Sequence, residues 1–339
     1  MGGTIAARLH QKGRQVVVVA RGKHYRTIAD RGLRFVTPAG EAALRVPVAT
    51  GPDELELTPA DVLLLTVKSQ DSDAAVRQWS IADVQGGGLA GERLAIVRAQ
   101  NGVHNESAAL RLFSRVYGMC GWMPSSFLRP GEVISVGTPL SGILHVGAFP
   151  QGADALTRAL AAQMSGARIA DYETDQIMRW KYGKLLRNLG NGLDALCQGP
   201  ASGWADLFED AVAEGRAVLD SAGIDYVGTD EQQARRGLRV EIGQVNRPVG
   251  TSSMWQSLAR RSARTEVDYL NGEIVLLGRK QCIPTPVKRG HPGRRRLRQP
   301  HWRGRGVSHP RRTTAKDRNW PRLTAAGAER CGFHISRTY

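Results

Sequence analysis

The sequence predicts a doubly wound α/β domain followed by an all-α domain, and three observations carry that expectation. Aliphatic, β-branched runs alternate with helix-period stretches over the first half of the chain. Gly13 separates a small-residue helix from Val16-Val17-Val18-Val19, which is the punctuation of a βαβ unit. From Thr174 onward the period becomes helical.

Taken in order, residues 1–11 read as a helix and 16–19 as a buried strand ending at Ala20-Arg21. In a nucleotide-binding unit, an apolar strand and the opening glycines of a Gly-x-Gly-x-x-Gly turn precede such a helix. The numbering opens inside the helix, so the expected sheet lacks its first strand, and dinucleotide binding by this chain is expected to be weak. An amphipathic stretch reaches Asp30, and 33–36 with 43–48 form a hairpin turned at Pro38-Ala39-Gly40. Residues 62–67 are a continuous apolar run, expected to be buried on both faces. Strand patterns recur at 94–97, 115–119, 133–136, 142–146 and 167–172. One long helix is expected over 180–196, with others at 203–222, 231–243, 252–262 and 265–278. The expected organisation is an α/β domain over 1–173, a helical domain over 174–287, and a segment without period over 288–339.

The net charge of +16 belongs mostly to the last segment. Residues 288–339 hold 15 Lys/Arg and two acids, while the remainder has 32 basic and 29 acidic groups. Thirteen of those 15 cations are arginine, and four of the eight histidines lie there too. An out-of-frame translation of GC-rich DNA has this composition, and so does a basic nucleic-acid-binding arm. Nucleic acid is the less favoured partner, because so sharp a change in the middle of a helical domain is odd for a natural linker. Four scattered cysteines without Cys-x-x-Cys spacing point to a reducing cytoplasm, with no metal site. Neither a membrane-length apolar run nor a secretory signal is present.

Several residues carry chemistry. Arg21 ends the second strand of the βαβ pattern, where a basic side chain accommodates the 2′-phosphate of NADP. Lys68 and Asn101 follow two later strands, at the carboxyl ends where open α/β sheets bind ligands. Lys184, Asn188 and Asn191 recur at helical spacing, so one face presents a cation and two amides. That face is either a ligand site or simply the wet side of a helix whose Leu185, Leu186 and Leu189 are buried. Thr265 with Asp268 reads as a helix cap, which makes Glu266 a first-turn acid.

Together these pieces resemble the ketopantoate reductase (2-dehydropantoate 2-reductase) family, from Gly2 to about Val287. The likeness rests on Gly-x-x-x-Ala-x-x-Leu with Gly13 and Arg21, Val67-Lys68, Gln100-Asn101-Gly102 and Phe127-Leu128-Arg129-Pro130-Gly131. It continues in Lys184-Leu185-Leu186-Arg187-Asn188, Ser252-Ser253-Met254 and Thr265-Glu266-Val267-Asp268-Tyr269-Leu270-Asn271-Gly272. The resemblance implies a Rossmann-like NADP-binding domain and a helical substrate domain. It also implies NADPH-dependent reduction of a 2-oxo acid, most naturally 2-dehydropantoate to pantoate in pantothenate synthesis. Lys184 would be the general acid, with Glu266 paired to it or to the cofactor ribose. Gly2, Arg21, Lys68 and Asn101 would line the NADP site. Asn101, Asn188 and Asn191 would orient the substrate, and Ser253 would hold its carboxylate. A small 2-oxo acid and a second copy of the chain, as a homodimer, are the implied partners.

The chain departs from the family in spacing its helix asparagines by three rather than four, and in having Gly250 where an asparagine is expected. The arginine-rich segment also replaces the family's closing helix. An inactive, truncated or frameshifted homologue is therefore the alternative to an active reductase.

Overall fold

Small residues let α1 (Gly2–Gln11) lie close against the strands beside it. The computed structural model describes residues 1–197, 204–237, 239–250, 252–260 and 265–287. Ile5 and Ala7 of α1 are buried, and a Cβ on Gly2 would stand 2.2 Å from Thr66 Oγ1, so any side chain there displaces Thr66. Gly13 closes the helix as expected, with φ of 68° and its amide on the His10 carbonyl at 2.9 Å.

The chain then runs through β1 (Val18–Val19), α2 (Gly22–Arg31), β2 (Leu33–Thr37), β3 (Gly40–Leu44), β4 (Val48–Ala49) and β5 (Val62–Leu65). It continues with α3 (Ser72–Ser80), α4 (Ala90–Arg93), β6 (Ala95–Arg98), α5 (Asn105–Ala109), β7 (Arg115–Trp122) and β8 (Ser125–Ser126). Next come β9 (Glu132–Ser135), β10 (Gly137–Pro139), β11 (Gly142–Ala148), α6 (Ala155–Gly166) and β12 (Ile169–Glu173). Beyond β12 lie α7 (Ile177–Asn188), α8 (Asn191–Cys197), α9 (Trp204–Ser221), α10 (Thr229–Arg236), β13 (Val240–Ile242), α11 (Ser253–Ala259) and α12 (Val267–Lys280). All described residues belong to one compact unit.

The main sheet has the order β12-β11-β7-β6-β5, parallel except between β7 and β11. Helices cover both faces, as a doubly wound sheet requires. Trp79 of α3 packs with Leu65 and Ile96 on one face, while Ile5 of α1 and Met164 of α6 pack with Val97 and Leu144 on the other. A second sheet has the order β3-β2-β9-β8. The helical region builds its own core from Leu185, Leu186, Val218, Leu219, Leu270 and Ile274. No described helix is long and apolar enough to cross a membrane.

Six expectations change. The valine run is paired only over β1, and the hairpin's second strand stops at Leu44, because Val48 and Ala49 pair in parallel with β1 instead. The apolar run at 62–67 is not buried on both faces. Val62, Leu63 and Leu64 are half-buried and Val67 is 39% exposed, since β5 is the sheet's edge. The helix expected over 180–196 breaks at Leu189-Gly190, with α7 closing through a Leu189 N–H to Leu186 carbonyl bond. The helix expected over 231–243 ends at Gly237, whose φ of 50° turns the chain into β13, antiparallel to β10. Asp268 forms no cap with Thr265; Glu266 itself takes the N-cap position of α12, without a side-chain cap bond. The segment 288–339, residues 198–203 and 261–264 lie outside the described residues.

β12 buries an uncompensated acid. Asp171 is 8% exposed, and neither carboxylate oxygen has a well-formed hydrogen bond. Burial pushes its carboxyl up to about 7, and the Tyr172 amide offsets only part of this. The folded value is above the unfolded one, so the group's stabilising contribution is complete below pH 4 and is lost as pH rises through 7. The stability difference between wild type and Asp171→Asn should therefore shift by about 4 kcal/mol in the variant's favour from pH 4 to pH 8. Urea titrations at several pH values measure it; a difference that does not change with pH rules the explanation out.

Candidate active site

Two loops at the carboxyl ends of β5 and β6 meet the amino ends of α11 and α12. Lys68 follows β5, and its Nζ lies 3.0 Å from Glu266 Oε2 and donates to the Ser253 carbonyl at 3.2 Å. Ser69, 3% exposed, donates to Glu266 Oε1 from both its amide and its hydroxyl, each at 3.2 Å. The Ser69 hydroxyl also lies 3.3 Å from the Asn101 carbonyl, which accepts a 3.0 Å bond from Asn105 Nδ2. Asn105 Nδ2 reaches Ser69 Oγ as well, at 3.1 Å. Gly102, with φ of 81°, brings this loop against the Tyr269 carbonyl of α12. One buried carboxylate thus fastens both strand ends to the helical region.

Lys184 stands on the inner side of α7. Leu185, Leu186 and Leu189 are buried in the helical core, and Lys184, itself half-buried, donates from Nζ to the Gly121 carbonyl at the end of β7. Burial lowers its pKa, with the Lys181 and Arg187 charges adding to the effect, while Cys120 and Glu266 oppose it. The Lys68 and Lys184 cations both lie near the start of α1, whose first turn has no acid. Such a place favours an anion.

Not every expected residue joins this cluster. Glu266 is paired with Lys68 rather than Lys184, because the Ser69 donors hold its carboxylate at the end of β5. Asn188 is half-buried, and its Nδ2 is enclosed without a hydrogen-bond partner. Asn191 begins α8 after the helix break and faces a separate cleft with Arg187, Trp204, Phe208 and Ser252. Ser253 meets Lys68 through its carbonyl. Arg21 is exposed at the end of β1, where its Nη2 donates to Gln78 Oε1 at 3.1 Å. Gly2 opens α1 against Thr66. The sequence reading passed over Ser69 and Asn105. A hydroxyl directly after a strand-ending lysine was the one local signal for the former.

Comparison with known proteins adds the family. Residues 1–151 match the family described as "Ketopantoate reductase PanE/ApbA", and residues 176–289 match its C-terminal counterpart, together well over half the chain. A 2-dehydropantoate 2-reductase of Archaeoglobus fulgidus is 27% identical over 296 residues, covering 85% of this chain and 91% of the relative. A PanE/ApbA family ketopantoate reductase structure from Ralstonia eutropha superposes with a TM-score of 0.67 at 27% identity, covering 84% and 90% of the two chains. A D-mandelate dehydrogenase solved with NADH and anilino(oxo)acetate superposes with a TM-score of 0.71 at 21% identity, covering 85% and 92%. At that identity the likeness is one of fold.

Proposed function

Because the chain belongs to the ketopantoate reductase family, we propose that it reduces a 2-oxo acid, most naturally 2-dehydropantoate, using NADPH. The observation that carries this reading is the convergence of Lys68, Lys184 and Glu266 at the carboxyl ends of the sheet. The residues fit a nicotinamide dinucleotide. The uncapped start of α1, with glycines at its first two positions, suits a phosphate group, and Lys68 adds a cation. Arg21 and Asn101 complete that set in our reading. The bound cofactor supplies hydride.

The chain's own residues supply the rest. Lys184 donates a proton to the substrate's carbonyl oxygen, and its charge stabilises the developing alkoxide. The carboxylate of Glu266 keeps Lys68 in place and, through Ser69, fixes the loop that carries Asn101. Asn188 offers its unpartnered amide to the substrate, with the Ser253 hydroxyl and Asn191 as further donors. Cys120 and Cys282 are free thiols, which supports a cytoplasmic setting. The product would feed pantothenate synthesis.

Loss of reduced-nicotinamide absorbance on adding 2-dehydropantoate tests the reading. Folded protein that consumes NADPH with no 2-oxo acid offered would overturn it. Arg21→Ala should weaken NADPH binding by about 10- to 100-fold, the worth of a charge-assisted phosphate contact, with NADH little affected. Equal loss for both cofactors in a fluorescence titration would remove Arg21 from the 2′-phosphate role.

A further inference from the structure

Building on the reductase reading, we propose that the active site also takes a second anionic group on its substrate, held by Arg187 and Arg236. Four- and five-carbon 2-oxodicarboxylates are then reduced as well. Arg187 follows Lys184 by three residues on α7 and precedes Asn188, so all three share one helix stripe. It also lines the cleft that Asn191 and Ser252 line. Arg187 Nη1 donates to Gln232 Oε1 at 3.3 Å, and Gln232 stands one turn before Arg236 on α10. Arg236 Cζ lies 4.1 Å from the centre of the Trp122 ring, and Trp122 follows the Gly121 whose carbonyl holds Lys184. The lysine therefore has one guanidinium beside it on α7 and another at the strand end that anchors it.

No acid among the described residues answers these charges. Neither Arg187 nor Arg236 forms an ion pair there. Asp225 and Glu231, the acids beside this helix, are both held by Arg179 at 2.8 Å. Arg235 and Arg239 add two more guanidiniums without an ion pair, 5.1 and 5.6 Å from the Tyr172 ring. Burial lowers the Arg187 pKa and the Arg236 charge lowers it further, while the Arg187 charge adds to the burial that lowers Lys184. A carboxylate placed between the two arginines relieves that repulsion.

The chemistry of the pair fits a carboxylate rather than a neutral group. Contact with a ring uses the face of a guanidinium and leaves its edge, where the N–H donors form a fork that matches two carboxylate oxygens. A simple 2-oxo acid offers one carboxylate and one carbonyl, which Ser253 and Lys184 take in the proposed reduction. The arginines then have work only if the far end of the substrate is charged. In the reaction, C2 of the oxo acid gains a hydride from the reduced nicotinamide and its oxygen gains the Lys184 proton. The products are a 2-hydroxydicarboxylate and the oxidised nicotinamide. The far carboxylate keeps its charge throughout, so it adds binding and not chemistry.

Calorimetry on the full chain tests it, with NADP⁺ present so that no turnover occurs. The ligands are 2-oxoglutarate and 2-oxovalerate, the same five-carbon chain with and without the far carboxylate. 2-Oxoglutarate should bind at least tenfold more tightly, the worth of a charge-assisted pair. In Arg236→Gln and in Arg187→Gln that ratio should fall to threefold or less. Equal binding of the two acids by the wild type overturns the proposal and leaves the reductase reading standing. A variant whose two affinities fall by the same factor also overturns it, since the arginine is then a packing residue. Binding of neither acid overturns it too, and the reductase reading then stands or falls on 2-dehydropantoate alone. With NADPH in place of NADP⁺, kcat/KM should be higher for 2-oxoglutarate than for 2-oxovalerate; the reverse order overturns the proposal.

Discussion

Lys184→Ala is expected to lower turnover by about 10²- to 10⁴-fold, the usual share of a positioned general acid, with much less change in KM. The side chain leaves α7 toward the Gly121 carbonyl, so it is held by the end of a central strand rather than waving in solvent. Burial favours its neutral form, which makes the ammonium a stronger acid than an ordinary lysine. The protonated form is the active one, so turnover should fall as pH rises through a value below the ordinary lysine range. Lys184→Arg separates charge from proton donation: it keeps the cation, but a guanidinium does not give up its proton in this range. Slow turnover in the arginine variant, with substrate affinity largely kept, is the expected pattern. Near-normal turnover in either variant would remove Lys184 from the proton-donor role.

The second large effect lies one layer behind the site. Glu106 and Lys181 form an ion pair with side chains 0% and 1% exposed, and Lys181 Nζ also donates to the Gln100 carbonyl at 3.0 Å. Arg98 is fully buried beside them, and the Glu106 charge raises its pKa against the burial that lowers it to about 10. Glu106→Ala should therefore cost about 3–5 kcal/mol, because it strands cations in the core. Adding Lys181→Met to Glu106→Leu should recover most of that loss, since removing both partners is commonly near neutral. Urea unfolding of the single and double variants closes the cycle; additive costs would show that the pair is not a coupled unit. Because Lys181 holds the Gln100 carbonyl, the single variants should also loosen the loop that presents Asn101.

The α/β order, the change to helix after β12 and the glycine stop of α1 were legible because period and turn chemistry are local properties. Lys184, Glu266 and Lys68 were legible as candidates through motif and strand position. Who holds Glu266 was not, since Ser69 is 197 residues away and only folding brings it there. The break after Asn188 was hidden for a different reason. The apolar spacing of Leu185, Leu186 and Leu189 continues through it and outweighs the one local sign of a boundary, Gly190-Asn191. The run at 62–67 misled because hydropathy records what a strand tolerates, while its burial depends on having a neighbour on each edge.

The short β10–β13 ladder has a mechanical meaning. It joins Gly137–Pro139 to Val240–Ile242, and the chain beyond it stays on the strand region. Gly243 donates to the Val136 carbonyl at 2.8 Å, and Arg247 lies 3.0 Å from Glu41. The helical region is therefore riveted to the sheets at a point far along the sequence from the covalent link after β12. The ladder adds a remote attachment to those at the ends of β5 and β7, where Ser69 holds Glu266 and the Gly121 carbonyl holds Lys184. Any opening that admits a ligand must break the Glu266–Ser69 and Lys184–Gly121 bonds as well as unzip these three residue pairs.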